Sequence, residues 1–260
     1  MRVIYEPRGK AFEYSPLALN LYNGCAHGCK YCYGPSATFK SREAFQAKPQ
    51  PRPHVLDNLR KDVASLAGDP RPVLMCFTSD PYQPIEAEHR ITRQAIEIMG
   101  EAGIKMAVLT KNGPLAYCDF DLFKKYDVAF GTTLLFTSEA DRQEWEPNAA
   151  SIIERKEIII CAKAAGIRTW VSIEPVIDTS QALQLLDTLE SFVDVWKVGK
   201  LNHDKAREDK INWKTFLEQV LMWMQLHQAN YYIKDDLWAF ADKGIAVPRS
   251  RGVEIFKPTR

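Results

Sequence analysis

Three of the six cysteines, Cys25, Cys29 and Cys32, fall within eight residues, in the segment Asn23-Gly24-Cys25-Ala26-His27-Gly28-Cys29-Lys30-Tyr31-Cys32-Tyr33. Thiolates spaced C-x3-C-x2-C, on a loop loosened by Gly24, Gly28 and Gly34, can converge on one small inorganic body. Thiolates select zinc or iron–sulfur. Structural zinc takes four closed ligands, and most cubane clusters take four cysteines. Here only three are local. Three ligands on a four-iron body would leave one iron open, and an open position marks a catalytic metal site. A structural zinc site would need His27 or His54 as fourth ligand, and His27 is crowded between two of the cysteines. Cys76, Cys118 and Cys161 show no paired spacing. They are expected to be buried apolar fillers, with no second cluster.

Such a loop needs a scaffold. Short apolar, β-branched runs occur at Leu17–Tyr22, Val73–Phe77, Lys105–Thr110, Val128–Thr133, Arg168–Ile173, Val193–Val198 and Tyr231–Lys234. Between them lie segments of helical period: His54–Ala67, Ile91–Glu101, Phe120–Tyr126, Ala149–Ala165, Ser180–Phe192 and Trp213–Gln228. Gly103 and Gly166 each close a helix and open a strand. This alternation predicts a parallel sheet with right-handed crossovers, as a barrel or open barrel ahead of a doubly wound sheet. The expected layout is one domain over 1–260, with a core at about 15–235 and a C-terminal helix and basic tail over 236–260. Chemistry is then expected at the C-terminal ends of the strands.

Those ends carry polar residues. The cysteine loop itself follows the first strand. The second strand runs into Thr78-Ser79-Asp80-Pro81-Tyr82-Gln83-Pro84, where hydroxyls and a carboxylate could hold an α-amino group. Asp80-Pro81 and Gln83-Pro84 are also good turn chemistry. The third strand ends in Thr110-Lys111-Asn112, the fourth in Thr132-Thr133, the fifth in Glu174-Pro175, and the seventh in Lys234-Asp235-Asp236. Glu174 reads as substrate-facing or as a barrel-rim ion pair. Asp235 or Asp236 reads as a ligand or a helix cap. Trp196, Trp213, Trp223, Trp238, Tyr231 and Tyr232 are read as barrel and helix packing rather than as base-stacking platforms.

The motif C-x3-C-x-aromatic-C, with Tyr31 as the aromatic, resembles the radical S-adenosylmethionine (SAM) enzymes. The resemblance implies a partial (β/α)6 TIM-like barrel with the cysteine loop after the first strand. It implies one [4Fe-4S] cluster on Cys25, Cys29 and Cys32, whose open iron binds the amino and carboxylate groups of SAM. An external electron donor, such as flavodoxin or ferredoxin, would reduce the cluster. SAM would then be cleaved to a 5′-deoxyadenosyl radical that abstracts hydrogen from a substrate. Asn-Gly-Cys before the loop, Asp80-Pro-Tyr-Gln-Pro, Thr110-Lys111 and Glu146-Pro147 resemble the spore photoproduct lyase-like branch, over roughly residues 17–175. By this resemblance Ser79, Lys111 and Thr132 or Thr133 would contact SAM; Tyr31 of the motif and the strand-end residues Thr78, Asp80 and Glu174 are further cofactor-binding candidates. Lys111 would meet the SAM carboxylate, and the threonine hydroxyls its ribose. One feature departs from that branch. Its radical-quenching cysteine stands just before the Thr-Ser-Asp segment, and Phe77 holds that place here. Strand alternation predicts that Cys76 faces the other side.

Composition narrows the classes. The chain has 260 residues, 46% apolar and 26% charged, which excludes disorder as the main state. The longest apolar runs, such as Ile158–Ala162, are too short to span a bilayer. No N-terminal stretch resembles a signal peptide, so the expectation is a cytoplasmic protein with no membrane partner. Net charge is +1, yet residues 1–61 hold 10 Lys and Arg against 4 Asp and Glu, a local +6. A basic N-terminal quarter suits an acidic partner such as nucleic acid, or is an ordinary solvated surface. Nucleic acid is therefore a candidate substrate. A peptide or small metabolite, or a non-catalytic zinc-stabilised nucleic-acid-binding module, is the alternative.

Overall fold

Each of the seven runs picked out above forms a strand of one sheet. The computed structural model describes residues 2–253. The parallel strands are β2 Leu17–Leu19, β5 Val73–Met75, β6 Met106–Thr110, β7 Ala129–Thr133, β8 Thr169–Val176, β9 Val195–Lys200 and β10 Tyr231–Ile233. Two-residue antiparallel strands, β1 Ile4–Tyr5 and β11 Ser250–Arg251, flank them. The order is β1-β2-β5-β6-β7-β8-β9-β10-β11. The two ends do not pair among the described residues, so the barrel is partial rather than closed. Outside the sheet, a hairpin joins β3 Tyr22–Asn23 to β4 Gln50–Pro51. It holds the whole cysteine loop between its strands.

Six helices cross over between the parallel strands: α1 Val55–Ser65, α2 Ile91–Glu101, α3 Phe120–Lys125, α4 Ile152–Ala164, α5 Thr179–Leu189 and α6 Trp213–Leu226. Gly103 and Gly166, just after α2 and α4, have φ of 70° and 77°. Ser151 and Glu154 close α4 with a reciprocal capping box. Sequence periodicity does not mark the short helix Glu139–Trp145. The C-terminal segment differs from expectation. In place of a helix there is one turn, Asp235–Trp238, and then β11. Pro248, Gly244 and Gly252 interrupt any longer helix there. The end of the expected basic tail, 254–260, lies outside the described residues.

Strand alternation sorts the core into two faces. Outward residues such as Met75, Val108, Phe130, Val171, Trp196 and Ile233 join the large cluster shared with the helices. Inward residues Leu74, Ala107, Ala129, Trp170, Val195 and Tyr232 form a second cluster with Tyr14. The small side chains leave room for Trp170. A Cβ on Gly131 would sit 2.3 Å from its indole. This inner cluster plugs the barrel beneath its C-terminal mouth, as side-chain layers do in closed barrels. No helix of the described residues is long and apolar enough to cross a membrane.

Gly131→Val should therefore overpack the floor of the barrel and cost about 1–3 kcal/mol. In a thermal melt followed by circular dichroism, that is a Tm fall of roughly 2–12 °C. An unchanged Tm would mean that Trp170 does not occupy this place.

Candidate active site

The loop that carries the cysteines has almost no regular structure of its own, so its shape comes from what it touches. Gly24 adopts φ +90°, and a Cβ there would strike the Phe45 carbonyl oxygen at 2.5 Å, so only glycine fits ahead of Cys25. The Gln83 side chain accepts from Ala26 N–H at 3.1 Å and donates to Gly24 O at 3.2 Å. Arg42 donates to Cys29 O at 2.7 Å. Asn148 N–H donates to His27 O at 3.1 Å, and Lys30 N–H to Trp145 O at 2.9 Å.

Two buried carboxylates complete the frame. Glu146 is 0% exposed and pairs with Arg155, 1% exposed, at 2.6 Å. It also accepts the Tyr31 hydroxyl. Burial raises the Glu146 carboxyl, but Arg155 and Lys111 outweigh it and hold the group below the usual range. Asp80 accepts from Thr110 Oγ1 at 2.6 Å, Lys111 N–H at 2.7 Å and Tyr82 N–H at 2.9 Å. His27 Nε2 approaches Oδ2, the oxygen that also accepts from Lys111 N–H, to 3.1 Å. That contact is off the hydrogen-bond axis, and we read it as electrostatic because the distance is short and both groups are buried. Burial pushes Asp80 up, yet these partners bring it down to about 2.

The result is a cavity of about 440 Å³ at the C-terminal ends of the strands. Cys25, Cys29 and Cys32 face it together with Tyr31, Thr78, Ser79, Asp80, Lys111, Thr133 and Glu174. The three cysteines are free thiols. Burial pushes Cys25 up strongly and Cys29 up to about 12, and each also feels its neighbouring cysteines. No three His, Cys, Asp or Glu side chains among the described residues converge as ligands of a single ion. Of the histidines weighed as a fourth zinc ligand, His27 lines the cavity but is engaged, and His54 lies outside it. His27 is held by Asp80 and by Asn148 O at 3.2 Å, and the His54 side chain is 82% exposed beside Asp57.

Several expectations change in detail. The Asp80 carboxylate already takes three hydrogen bonds and faces His27 Nε2, so it braces the site and has little left for an amino group. Ser79 Oγ is buried without an aligned partner; the Cys76 thiol beside it is too weak to satisfy it. Thr132 donates into the sheet, to Thr110 O at 2.8 Å, and does not line the cavity; Thr133 does. Cys76 does not face wholly away. Beyond the end of β5 at Met75, Cys76 packs with the outer cluster and Phe77 against the inner one, and both reach the cavity. Cys118 and Cys161 are exposed rather than buried. Neither Asp235 nor Asp236 caps the helix through its side chain; Asp236 pairs with Lys10 at 2.8 Å.

The side of the cavity away from the cysteines holds residues that sequence reasoning missed. A register shift in β8 between Ile173 and Val176 re-aims Glu174. Its carboxylate meets Lys234 at 2.7 Å and accepts the Tyr14 hydroxyl, so the rim ion pair and the cavity-facing group are one residue. A Cβ on Gly199 would sit 2.8 Å from Glu174 Cδ and 2.9 Å from Lys234 Cδ, so glycine makes room for the pair. Buried Lys197 donates to the Glu13 and Tyr14 carbonyls, both at 2.9 Å. A lysine inside the apolar run Val193–Val198 was the signal available for it. Arg155→Met would leave Glu146 buried and unpaired, at a cost of about 3–5 kcal/mol. The melt should fall by about 10 °C, and adding Glu146→Gln should recover part of it. A silent Arg155→Met would remove the pair's role as anchor.

The comparisons agree with this geometry. The radical SAM superfamily model matches residues 19–190. The uncharacterized protein MJ0683 of Methanocaldococcus jannaschii is 28% identical over 203 residues, 77% of this chain and 74% of that protein. The uncharacterized protein Rv2578c of Mycobacterium tuberculosis is 23% identical over 167 residues, and the match covers 61% of this chain and 49% of that protein. The chain thus spans about half the length of the mycobacterial relative. Among solved structures, a spore photoproduct lyase variant superposes with TM-score 0.66 at 12% identity, covering 84% of this chain and 76% of that one. Streptococcus suis SuiB bound to S-adenosylmethionine gives 0.63 at 14%, covering 87% and 52%. These structural likenesses show the fold, a partial TIM-like barrel of the spore photoproduct lyase kind. With the family model matching 19–190, a stretch that includes the cysteine loop and well over half of the chain, the chain belongs to the radical SAM superfamily.

Proposed function

We propose that the cavity binds one [4Fe-4S] cluster through Cys25, Cys29 and Cys32, with SAM beside it, and abstracts hydrogen from an organic substrate. The observation that carries this is the meeting of three free thiols with the polar strand ends in one cavity. Three free thiols facing one cavity, with Lys111 and Arg155 near Cys29 to favour its thiolate, are soft-metal ligands, so the donor set fits the group. When bound and reduced, such a cluster supplies one electron to the SAM sulfonium and so generates a 5′-deoxyadenosyl radical.

The chain's own residues do the rest. Burial by itself would lower the Lys111 ammonium, but Cys29, Glu146 and Asp80 raise it. It therefore stays charged and suits the SAM carboxylate. Its Nζ stands 5.6 Å over the Tyr31 ring. Ser79 Oγ and Thr78 offer hydroxyls to the amino group, and Thr133 offers one to the ribose. Glu174 and Lys234 lie across the cavity, positioned to orient the substrate. The inner cluster beneath keeps water out from below. In this reading 1–260 works as one catalytic domain in the cytoplasm, reduced by a flavodoxin or ferredoxin. A spore photoproduct lyase variant has been solved with bound AdoMet and a dinucleoside photoproduct, and SuiB with a precursor peptide; both substrate classes are compatible with the same barrel.

On anaerobically reconstituted protein we expect about four irons and matching sulfide per chain, and an electron paramagnetic resonance spectrum that changes when SAM is added. Changing Cys25, Cys29 or Cys32 to Ala should abolish both, while Cys118→Ala and Cys161→Ala leave them intact. Zinc without sulfide, or full SAM cleavage by Cys29→Ala, would sink the proposal. Lys111→Met should keep the iron and raise the KM for SAM about tenfold or more, the loss of one charge-assisted contact. An unchanged KM would remove Lys111 from the SAM site.

A further inference from the structure

The positive charge of the first 61 residues is not spread evenly over the surface. A groove of about 550 Å³ runs beside the cavity, and Arg2, Arg8, Lys40 and Arg52 line it without any Asp or Glu. The groove and the cavity share Arg8, Tyr33, Phe77 and Thr78, so one opens into the other. Among the described residues none of the four cations is in an ion pair. Elsewhere in the described chain most arginines are paired, Arg60, Arg71, Arg93, Arg142, Arg155, Arg168 and Arg207 among them, while Arg42, Arg90 and Arg251 are not. Four cations held without carboxylates repel one another unless an anion lies between them.

Aromatic faces stand among these charges. Tyr33 and Phe77 sit where groove meets cavity. Phe39, between the groove residues Thr38 and Lys40, is 98% exposed and has φ of 55°, a conformation that a bulky side chain rarely adopts. Cations that track a backbone, interleaved with flat rings, are what unstacked bases on a phosphate chain require. An acidic peptide matches the charge but has no bases for these rings.

We propose that this groove is the docking track for a single-stranded polynucleotide, which passes Arg2, Lys40 and Arg52 and presents one nucleotide at the mouth beside Tyr33 and Phe77. This takes the cavity as the reaction centre proposed above and names its substrate class. A duplex would keep its bases stacked and out of reach of these rings.

The test is fluorescence anisotropy on reconstituted protein with labelled oligothymidylate and oligouridylate of about 12 nucleotides, titrated at several salt concentrations. Four phosphate contacts predict a log–log salt slope of about −3. Arg2→Gln/Lys40→Gln should make the slope shallower by about 1.4 and weaken binding about tenfold near physiological salt. Lys61→Gln, off the groove on α1, should change neither. The two oligomers tell DNA from RNA; tight binding of either supports the track. No binding, a slope unmoved by the double variant, or equally tight polyglutamate binding would overturn it. Iron, sulfide and SAM cleavage on the unmutated preparation test the radical reading separately.

Discussion

The structure depends on one buried ion pair, Glu146 with Arg155. A loop with three cysteines and three nearby glycines cannot hold its own shape. It is held because Tyr31, the aromatic inside the motif, donates to a carboxylate that α4 secures with an arginine. Arg155 also donates to Thr133 O at 2.9 Å, so the same guanidinium ties the loop to the end of β7. A buried pair of this kind need not add net stability over an apolar substitute. What it adds is position: two charges in a dry interior accept few other arrangements.

Asp80 does a similar job from the other side. It collects the ends of β5 and β6 and faces His27 of the loop. The two carboxylates bracket the cysteines, and Lys111 stands near both. The cavity is thus charged on its cysteine side. On the far side the N-terminal segment closes the barrel mouth: Lys10 reaches Asp236 and Asn202, Tyr14 reaches Glu174, and Lys197 and Lys234 hold its carbonyls. A partial barrel needs such a segment, because the pairing that would close the sheet is not made there.

Much of the fold was legible in the sequence. The strands formed where β-branched runs lay, and α2 spans Ile91–Glu101, the bounds its period implied. The reading failed where local rules stop. Alternation did not settle Cys76: past the end of β5 it packs with the outer cluster and still reaches the cavity beside Phe77. It left Thr132 and Thr133 undecided until the sheet turned one hydroxyl inward. It gave Glu174 two roles that a bulge in β8 combined into one. Cys118 and Cys161 read as buried because cysteine usually is, but both fall on exposed turns of their segments.

The sequence alone determined the cysteine spacing, the order of strands and helices, and the basic N-terminal quarter. These are properties of neighbours along the chain, written in period and residue type. The tertiary structure decided which polar groups would be spent and which left open. Asp80 is consumed as a brace, Ser79 is left without a partner, Arg155 is buried to serve a loop, and Arg2, Arg8, Lys40 and Arg52 gather along one groove. Those outcomes depend on contacts between residues tens to hundreds of positions apart. Burial in a low dielectric makes each of them costly to change, and no local pattern encodes it.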